Sequence, residues 1–443
     1  MLAGAVAAGL AARLWLAFTD DGIYWPDEIY QSLEPAHRAA FGYGLRAWEL
    51  VEGARCWALP GVLAGVMAVL RQPEIYLPAI RVLFCLCGVG TALGAARLAR
   101  TCGADLPGAA AAGACCALLG LGIFFGPRAM SETASALPVV LGLSLVLERD
   151  ARAREMILGG SLLGIAAMFR LQAAVFAVGA LLAVGITRPR QRRWLALAAT
   201  LAAWAFLFGL LDRVTWGSWF HSARAYLAFN LLEGQASRFG VLPASFYRLA
   251  LYRSLGPVIV LLPLLALASL RRAPWPALLA FGFFALHLWP PHKELRFLWP
   301  ALPLLCSAAG VGISQLARLR ERAALGAAAL LLALSVWSAA KVPRYTPFDL
   351  GVDMPSAFDD GGPENRLLLQ AHRLPDLCGL AVRTRPLGYL GGYAYLHRPV
   401  PLYGQERPPP PGAVNYEIAP GPRLRRVLDG PCTPDPGFDD RLP

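Results

Sequence analysis

One cluster of residues with catalytic potential follows the first apolar segment of the chain. It mixes acids with other polar and aromatic groups, and its candidate members are Asp27, Glu28, Gln31, Glu34, His37 and Trp48. A carboxylate beside a membrane cavity can act as a general base when burial or neighbouring charges set its pKa and a hydroxyl comes within hydrogen-bond reach. The alternative is that these acids are only solvated, as most loop acids are.

The spacing of this first cluster predicts a helix with two faces. The polar face carries Asp27, Gln31 and Glu34, and the apolar face carries Ile29, Leu33 and Ala36. Such a helix is amphipathic and is expected to lie on the outer membrane surface. Asp27 and Glu28 point about 100° apart on a helix, so only one of them can face a given cavity.

A second cluster concentrates cations between two apolar segments. It contains His292, Lys293 and Arg296, with Trp289 and Trp299 on either side. Arg and Lys can neutralise a lipid phosphate as it becomes a leaving group. Lys, Arg and Trp also collect at membrane boundaries for solvation alone, so an interfacial anchor is the alternative.

Arg170 is an isolated cation within a long apolar stretch. An arginine is costly in lipid, so it should face a polar cavity or reach the interface, either as a phosphate ligand or as a snorkelling side chain. Arg128 and Glu132 lie in another short loop and are further candidates. Asn230 belongs to a polar and aromatic segment that suits a sugar or lipid headgroup and equally suits an ordinary interfacial loop.

These residues belong to a chain whose composition is that of a membrane protein. Of its 443 residues, 56% are hydrophobic and only 16% are charged, whereas soluble domains carry about 25% charged residues. Apolar runs of about 18 to 20 residues recur, each long enough to cross a hydrocarbon core roughly 30 Å thick. The net charge of +12 is divided among short clusters between these runs, which argues against a nucleic-acid-binding face.

The apolar runs predict eleven transmembrane helices. They lie near residues 1–18, 78–96, 108–126, 133–147, 157–169, 171–187, 194–211, 255–270, 275–290, 297–316 and 323–340. The first is interpreted as a helix and not a signal peptide, because no small-residue cleavage site precedes Thr19. Residues 157–187 would measure about 46 Å as one helix, which is too long for one upright crossing yet short for two, and the parity of the crossings requires two helices there.

Arginine-rich short loops set the expected orientation. They contain Arg97/Arg100, Arg149/Arg152/Arg154, Arg188/Arg190/Arg192/Arg193, Arg271/Arg272 and Arg318/Arg320/Arg322. The positive-inside rule makes these loops cytoplasmic. Residues 19–77, 127–132, 212–254, 291–296 and everything after 340 then share the opposite, outer face, where the chemistry is expected.

The predicted organisation is a transmembrane domain, residues 1–340, with a catalytic outer loop at 19–77, followed by a C-terminal extracytoplasmic domain at 341–443. The tail is rich in Pro and Gly but keeps short apolar stretches, which favours a small irregular α/β appendage over disorder. Cys378 and Cys432 stand alone in this tail and can form a disulfide in an oxidising compartment. The other cysteines lack metal-ligand spacing, and no metal site is expected.

Two motifs resemble one enzyme family. The string from Pro26-Asp27-Glu28 to His37, continued by Phe41-Gly42-Tyr43-Gly44 and Trp48-Glu49, resembles the first luminal loop of glycosyltransferase family 22. The string His292-Lys293-Glu294, with Arg296-Phe297 and Pro300-Ala301-Leu302-Pro303, looks like the family's HKE-x-RF-x-x-P-x-LP signature. Phe229-Asn230 followed by Phe239-Gly240 is a weaker third similarity. A departure is Trp25, where relatives commonly have His.

The resemblance implies an all-α polytopic membrane protein with a GT-C fold, a polyprenyl- or dolichyl-phosphate mannose donor, and no cofactor. It implies inversion at the sugar to give an α-mannoside on a glycolipid or glycan acceptor. Asp27 would accept the acceptor's proton with Glu28 in support. The expected donor-phosphate ligands are His292, Lys293, Arg296 and Arg170. The expected acceptor or sugar ligands are Gln31, Glu34, His37, Trp48 and Asn230.

Two alternatives stay open. One is a GT-C transferase that moves another lipid-linked sugar or modifies a protein. The other is a transporter or flippase, although transporters usually have ionisable groups near the bilayer midplane and broken helices in matched repeats, whereas most acids here lie in outer loops. The compact loops and Ala/Arg-rich composition favour a bacterial plasma membrane, with the endoplasmic reticulum as the location if the chain is eukaryotic.

Overall fold

The computed structural model describes residues 1–187 and 192–442. By the density of internal contacts this chain divides into two compact units. The first, called the helical unit, comprises Met1–Trp15 and Leu83–Asp353. The second, called the loop–tail unit, comprises Leu16–Val82 and the described residues from Met354 onward. The division differs from the predicted one, because the first loop groups with the tail and not with the transmembrane helices.

The chain is mainly helical. Up to residue 101 the helical segments are Leu2–Thr19, Pro26–Glu28, Ile29–Leu33, Glu34–Phe41, Trp48–Val51, Ala58–Leu70 and Pro73–Thr101. From residue 102 to 353 they include Leu106–Leu118, Gly120–Phe124, Ser131–Val146, Ala153–Phe169, Leu171–Ala173, Ala174–Thr187, Arg193–Trp216, His221–Leu227, Ala228–Leu232, Gln235–Phe239, Ser245–Leu255, Val258–Ser269, Pro274–Leu288, Leu295–Ala301, Leu302–Leu319, Glu321–Lys341, Val342–Arg344 and Pro347–Leu350. Each of the eleven predicted ranges contains helix. Arg188 and Arg190 of the predicted cytoplasmic clusters lie outside the described residues.

The number of membrane crossings stays a prediction. Within the described residues, five helices are long and apolar enough to cross a membrane. A sixth crossing results if Ser245–Leu255 and Val258–Ser269, which are bent by 109°, form one span. This bend occurs at Gly256, whose φ of +67° favours glycine, and at Pro257, which cannot donate a helical hydrogen bond.

The apolar stretch 157–187 is two helical segments, as predicted. Ala153–Phe169 ends where Arg170 adopts an extended conformation, with φ −147° and ψ 112°. A short 3-10 turn, Leu171–Ala173, then leads into Ala174–Thr187. The break places a charged side chain at a helix end, where its backbone is no longer constrained by the helix.

Small residues allow close helix contacts inside the helical unit. A Cβ added at Gly142 would lie 2.9 Å from the carbonyl oxygen of Gly159, and one added at Gly310 would lie 2.4 Å from that of Gly108. Such positions tolerate only glycine without movement of the backbone. Close approach through small residues is the usual way for helices to gain van der Waals contact in a membrane.

Arg13 is a buried cation that the sequence analysis did not single out. It is 1% exposed. Its Nε donates to the carbonyl of Gly122 at 3.1 Å, and its Nη1 donates to the carbonyls of Gly9 and Ala117, both at 2.9 Å. These carbonyl contacts compensate part of the cost of desolvating the charge.

The tail forms a small α/β structure, as predicted. Its helical segments are Gly362–His372, Leu387–Tyr389 and Gly392–Leu396, and its strands are Leu380–Val382, Leu402–Tyr403, Tyr416–Ala419 and Arg423–Arg426. Across the sheet the strand order is second, first, third and fourth, so the first strand lies between the second and the third. The first three strands run parallel, and the last two form an antiparallel hairpin. The arginine-rich final strand is an exposed edge, a composition that discourages pairing with other chains.

The prediction that residues 27–36 form an amphipathic surface helix is only partly right. The segment is helical, with a π-helix at Ile29–Leu33, and Asp27 and Gln31 on its polar side are half-buried, but Glu34 on the same side is fully buried. The reason lies within the loop–tail unit, where tail residues cover part of the polar side. The hydroxyl of Tyr30 donates to the Leu390 carbonyl at 3.0 Å, and Glu34 accepts the N–H of Tyr393 at 3.0 Å.

Cys378 and Cys432 form a disulfide with a Cα–Cα distance of 5.7 Å. We expect Cys378→Ser to lower the free energy of unfolding by roughly 2–5 kcal/mol, because it removes the constraint on the unfolded chain. Thermal unfolding with and without reductant measures this loss. Cys56→Ser, at a cysteine of the same unit outside this disulfide, is the matched control. Maleimide labelling of Cys378 in unreduced wild-type protein would contradict the disulfide.

Candidate functional site

The helical unit contains a buried network of ion pairs around two glutamates. Arg170 Nη1 lies 2.8 Å from Glu132 Oε1, and Arg296 Nη1 lies 3.5 Å from the same oxygen. Arg296 Nε lies 2.5 Å from Glu294 Oε2, while His292 Nε2 lies 2.8 Å from Glu294 Oε1. The structure thus brings together three of the four residues predicted to bind a phosphate.

Local structure explains why these side chains converge. Arg170 occupies the break between two helices, and Glu132 lies in the first turn of Ser131–Val146. Glu294 precedes the 3-10 turn Leu295–Ala301, which contains Arg296. Glu132 is one of the further candidates from the sequence, whereas Glu294 belongs to the second motif without an assigned role. Their role as connectors depends on tertiary contacts.

Arg170 keeps donors available inside this network. Its side chain is only 3% exposed, yet among the described residues its Nε and Nη2 have no hydrogen-bond partner. The guanidinium carbons of Arg170 and Arg296 lie 5.3 and 5.2 Å from the centre of the Phe297 ring. Cation–π contacts of this kind favour a fixed orientation of the guanidinium. An oriented arginine with unused N–H groups, such as Arg170, is suited to bind an oxyanion.

Lys293 has a different contact. Its Nζ donates to the Pro290 carbonyl at 2.5 Å, and burial lowers the pKa of this ammonium from its ordinary value. Burial by itself would raise the pKa of Glu294, but the neighbouring Arg296 and His292 hold it below its usual value. Glu294 is therefore a carboxylate that orients the cations.

Asn230 lies in a second π-helix, Ala228–Leu232. Its Nδ2 donates to the Tyr226 carbonyl at 2.8 Å. The ring of Phe239, from the weaker third similarity, lies 6.2 Å from that of Phe229 and 5.9 Å from that of His292. Single-turn π-helices are rare and frequently occur at functional sites, and here both include predicted site residues.

In the loop–tail unit, the two acids of the Pro-Asp-Glu motif have different surroundings. Glu28 is 5% exposed and its Oε1 accepts the N–H of Tyr24 at 2.5 Å. This resembles the backward reach of a glutamate in a capping box. Asp27 is only half-buried. The adjacent acids therefore differ as expected from helix geometry, with Glu28 directed to the backbone.

A third carboxylate, which the sequence analysis did not choose, lies close to Asp27. Glu49 is 6% exposed and its Oε1 accepts a hydrogen bond from Gln31 Nε2 at 2.9 Å. Burial, followed by the charge of Asp27, raises the pKa of Glu49 to about 7. Its position beside Trp48 in the first motif was a signal for it, but proximity to Asp27 depends on folding of the loop.

Glu34 and His37, predicted to contact the acceptor, are fully buried in the loop–tail unit. Glu34 accepts the N–H groups of Leu45, Tyr393 and Ala394 at 2.7, 3.0 and 2.8 Å. Burial raises the pKa of Glu34 to about 7, although these donors favour ionisation. Both side chains therefore contact protein groups at the buried side of the helix.

The ring of His37 bridges two parts of the loop–tail unit. Its Nδ1 lies 3.0 Å from the Tyr43 carbonyl, which can only accept, so this nitrogen carries the proton. Its Nε2 lies 2.9 Å from His397 Nδ1, which then donates. Burial lowers the pKa of His37 to about 3, which agrees with a neutral ring. Trp48 begins a short helix and is half-buried.

A metal site was not expected, and within the described residues no group of three or more His, Cys, Asp or Glu side chains is arranged to hold a metal ion. The acids and cations described above contact each other or the backbone. The chemistry that they offer directly is proton acceptance at a carboxylate and binding of an oxyanion by guanidinium groups.

The sequence model of the Alg9-like mannosyltransferase family matches residues 5–347. GPI mannosyltransferase 3 of Yarrowia lipolytica is 29% identical over 328 residues, covering 69% of this chain and 61% of that protein. Mannosyltransferase APTG1 of Arabidopsis thaliana is 26% identical over 325 residues, covering 69% and 58%. The chain thus spans about six tenths of the length of these curated relatives.

The fold is similar to that of a solved crystal structure. The crystal structure of ArnT from Cupriavidus metallidurans bound to undecaprenyl phosphate matches with a TM-score of 0.60 and 16% identity. The match covers 90% of this chain and 85% of that one. At this identity the likeness concerns the fold alone, and it confirms the predicted GT-C architecture.

The stability of the chain should depend less on pH when Glu49 is replaced by Gln. The pKa of Glu49 is about 7 in the folded chain against an ordinary 4.5. Between these values the unfolded chain loses a proton that the folded chain keeps, so the free energy of unfolding falls as pH rises, by at most about 1.4 kcal/mol per pH unit. Thermal unfolding across this interval should show a smaller fall for Glu49→Gln.

The exposed Glu52 supplies the control for this experiment. Glu52→Gln removes a carboxylate from the same loop and should keep the wild-type dependence. A Glu49→Gln variant whose unfolding temperature falls with pH as steeply as that of the wild type would show that Glu49 is ionised throughout.

Proposed function

Because the chain belongs to the Alg9-like mannosyltransferase family, we propose that it transfers mannose from a polyprenyl- or dolichyl-phosphate mannose to a hydroxyl group of a glycolipid or glycan. The transfer inverts the configuration at the sugar carbon and produces an α-mannoside. The observation that carries the proposal is the buried pair of arginines, Arg170 and Arg296, joined through Glu132.

The arginine network fits the phosphate of such a donor. Arg170 and Arg296 are balanced by Glu132 and Glu294, and Lys293 adds a further cation nearby in sequence. The unused N–H groups of Arg170 can bind phosphate oxygens as negative charge develops on them. The undecaprenyl phosphate bound to the ArnT neighbour is a ligand of the same chemical class.

In the proposed reaction, the carboxylate of Asp27 accepts the proton of the acceptor hydroxyl. The acceptor oxygen forms a bond to the anomeric carbon while the bond from that carbon to the phosphate oxygen breaks. The leaving lipid phosphate takes the electron pair and is held by Arg170 and Arg296, with His292 and Lys293 in support. Glu28 stabilises the first turn through Tyr24 and leaves Asp27 as the base.

Asn230, Gln31 and Trp48 are the half-buried members of the predicted acceptor set. They retain their proposed role in contacting the sugar or acceptor. Glu34 and His37 are proposed to act indirectly, since their side chains are buried against the backbone and against His397. They would hold the segments that surround the acceptor.

We further propose that the reaction takes place on the extracytoplasmic or luminal face of a membrane. The arginine clusters support this orientation through the positive-inside rule. The Cys378–Cys432 disulfide supports an oxidising compartment for the tail. A bacterial plasma membrane is the favoured location, with the endoplasmic reticulum membrane in its place if the chain is eukaryotic.

Asp27→Asn should lower turnover by at least about a hundredfold, because a general base typically contributes 10²- to 10⁴-fold. Binding of the donor lipid should persist. Labelled polyprenyl-phosphate mannose and candidate glycolipid acceptors give the rate, with GDP-mannose as the control donor. Glu52→Gln is the matched carboxylate control and should stay active. Normal turnover by Asp27→Asn together with an inactive, folded Glu28→Gln would reverse the two roles.

Arg170→Lys should raise the KM for the donor by roughly ten- to a hundredfold, since hydrogen bonds to charged groups contribute about 1.5–3 kcal/mol. The variant keeps the positive charge opposite Glu132 but loses the paired N–H groups. Arg213→Lys, at a helix position exposed to solvent, is the matched control. An unchanged donor KM in folded Arg170→Lys protein would show that Arg170 serves only the ion-pair network.

A further inference from the structure

The loop–tail unit contains a pocket of about 400 Å³ that the proposed reaction does not use. Its lining includes Tyr43, Arg46, Tyr393, Phe438, Asp439 and Asp440. This volume falls within the range of roughly 300–1,000 Å³ typical of small-molecule sites. Resting on the proposed function, we propose that this pocket binds sugar residues of the acceptor glycan other than the one that receives mannose.

The aromatic lining suits the apolar face of a sugar ring. The rings of Tyr43 and Tyr393 lie 5.5 Å apart and meet edge to face. Phe438 lies 5.5 Å from Tyr403, also edge to face. Packing of each ring against another fixes its orientation before a ligand arrives. Rigid aromatic surfaces bind with little loss of side-chain entropy.

The charged lining suits neutral hydroxyl groups better than a phosphate. The charged residues of the lining are one cation, Arg46, and two acids, Asp439 and Asp440. Arg46 Nε lies 2.7 Å from Asp440 Oδ1, and Arg38 Nη1 lies 2.6 Å from Asp440 Oδ2. Both arginines are therefore paired, and Asp439 Oδ2 lies 2.7 Å from Arg441 Nη2, so these charged groups are bound to one another and none of these pairs leaves a cation for a phosphate. Carboxylates accept hydrogen bonds from sugar hydroxyls.

The pocket is attached to the helical segment that contains the proposed base. Glu34 Oε1 accepts the N–H of Leu45, between lining residues Gly44 and Arg46, and that of Tyr393 on another part of the wall. One carboxylate thus ties two parts of the wall to the helical segment 26–41. Through this link, a glycan held in the pocket is positioned relative to Asp27 within the same unit.

The first test measures binding without catalysis. Saturation-transfer NMR on the full chain in nanodiscs uses an α-linked mannobiose as the probe, with inositol phosphate as the anionic comparison. We expect saturable binding of the mannobiose, weakened about five- to tenfold in Phe438→Ala, and weaker binding in Asp439→Asn. Tyr389→Ala, at an exposed aromatic ring outside the lining, should bind as the wild type does. Asp27→Asn should also retain binding.

The second test measures transfer. Phe438→Ala and Asp439→Asn should raise the acceptor KM about tenfold, comparable with the loss of one or two weak contacts, while kcat and the donor KM stay unchanged. A cooperative thermal unfolding transition like that of the wild type confirms that each variant is folded. Asp439→Asn keeps the shape of the pocket and covers the case in which Phe438→Ala does not fold.

Any one of three results would contradict the proposal that the pocket binds the acceptor glycan. The first is an absence of saturable mannobiose binding, and the second is equal binding by both lining variants and the wild type. The third is stronger binding of inositol phosphate than of mannobiose. If the lining variants weaken mannobiose binding but the chain transfers no mannose from polyprenyl-phosphate mannose, the glycan-binding role of the pocket is supported and the proposed reaction is rejected. If both lining variants transfer mannose with an unchanged acceptor KM, the glycan-binding role of the pocket is rejected and the proposed reaction stands.

Discussion

The desolvation of charge is the constraint on which both candidate sites depend. Glu34, fully buried, accepts three backbone N–H groups from two distant segments of the loop–tail unit. A buried carboxylate without such partners would be strongly destabilising. The need to satisfy this group therefore helps to hold the first loop and the tail in a single folded unit, and it ties together two parts of the wall of the pocket.

The same constraint organises the helical unit in a different way. Arg170 and Arg296 share Glu132, and Glu294 joins Arg296 to His292. A buried ion pair seldom adds much stability compared with an apolar core, but removing one partner is costly. Such a network is better explained by a function that requires buried, oriented cations. Spare donors on Arg170 then remain available for an oxyanion.

Much of the architecture was predictable because lipid imposes simple rules on sequence. Long apolar runs, arginine-rich loops and a Pro- and Gly-rich tail were enough to predict the helices, the break near Arg170 and the small α/β tail. The number of crossings is a harder inference, since several apolar helices have only 13 to 16 residues. The amphipathic interpretation of residues 27–36 missed the burial of Glu34 because periodicity reports which residues are polar and not what covers them.

The sequence by itself determined a membrane protein of mainly helical structure. Its two motifs predicted His292 and Arg296 as cations for one site and Asp27 as the candidate base, and the isolated charge of Arg170 in an apolar stretch added a further cation. Those assignments rest on residue type and local spacing, which are properties of short segments. Tertiary structure decided the rest: that Glu132 connects two arginines, that Glu49 lies near Asp27, and that Glu34 and His37 are buried. Burial and charge pairing arise from segments far apart in the chain, so only the folded protein shows them.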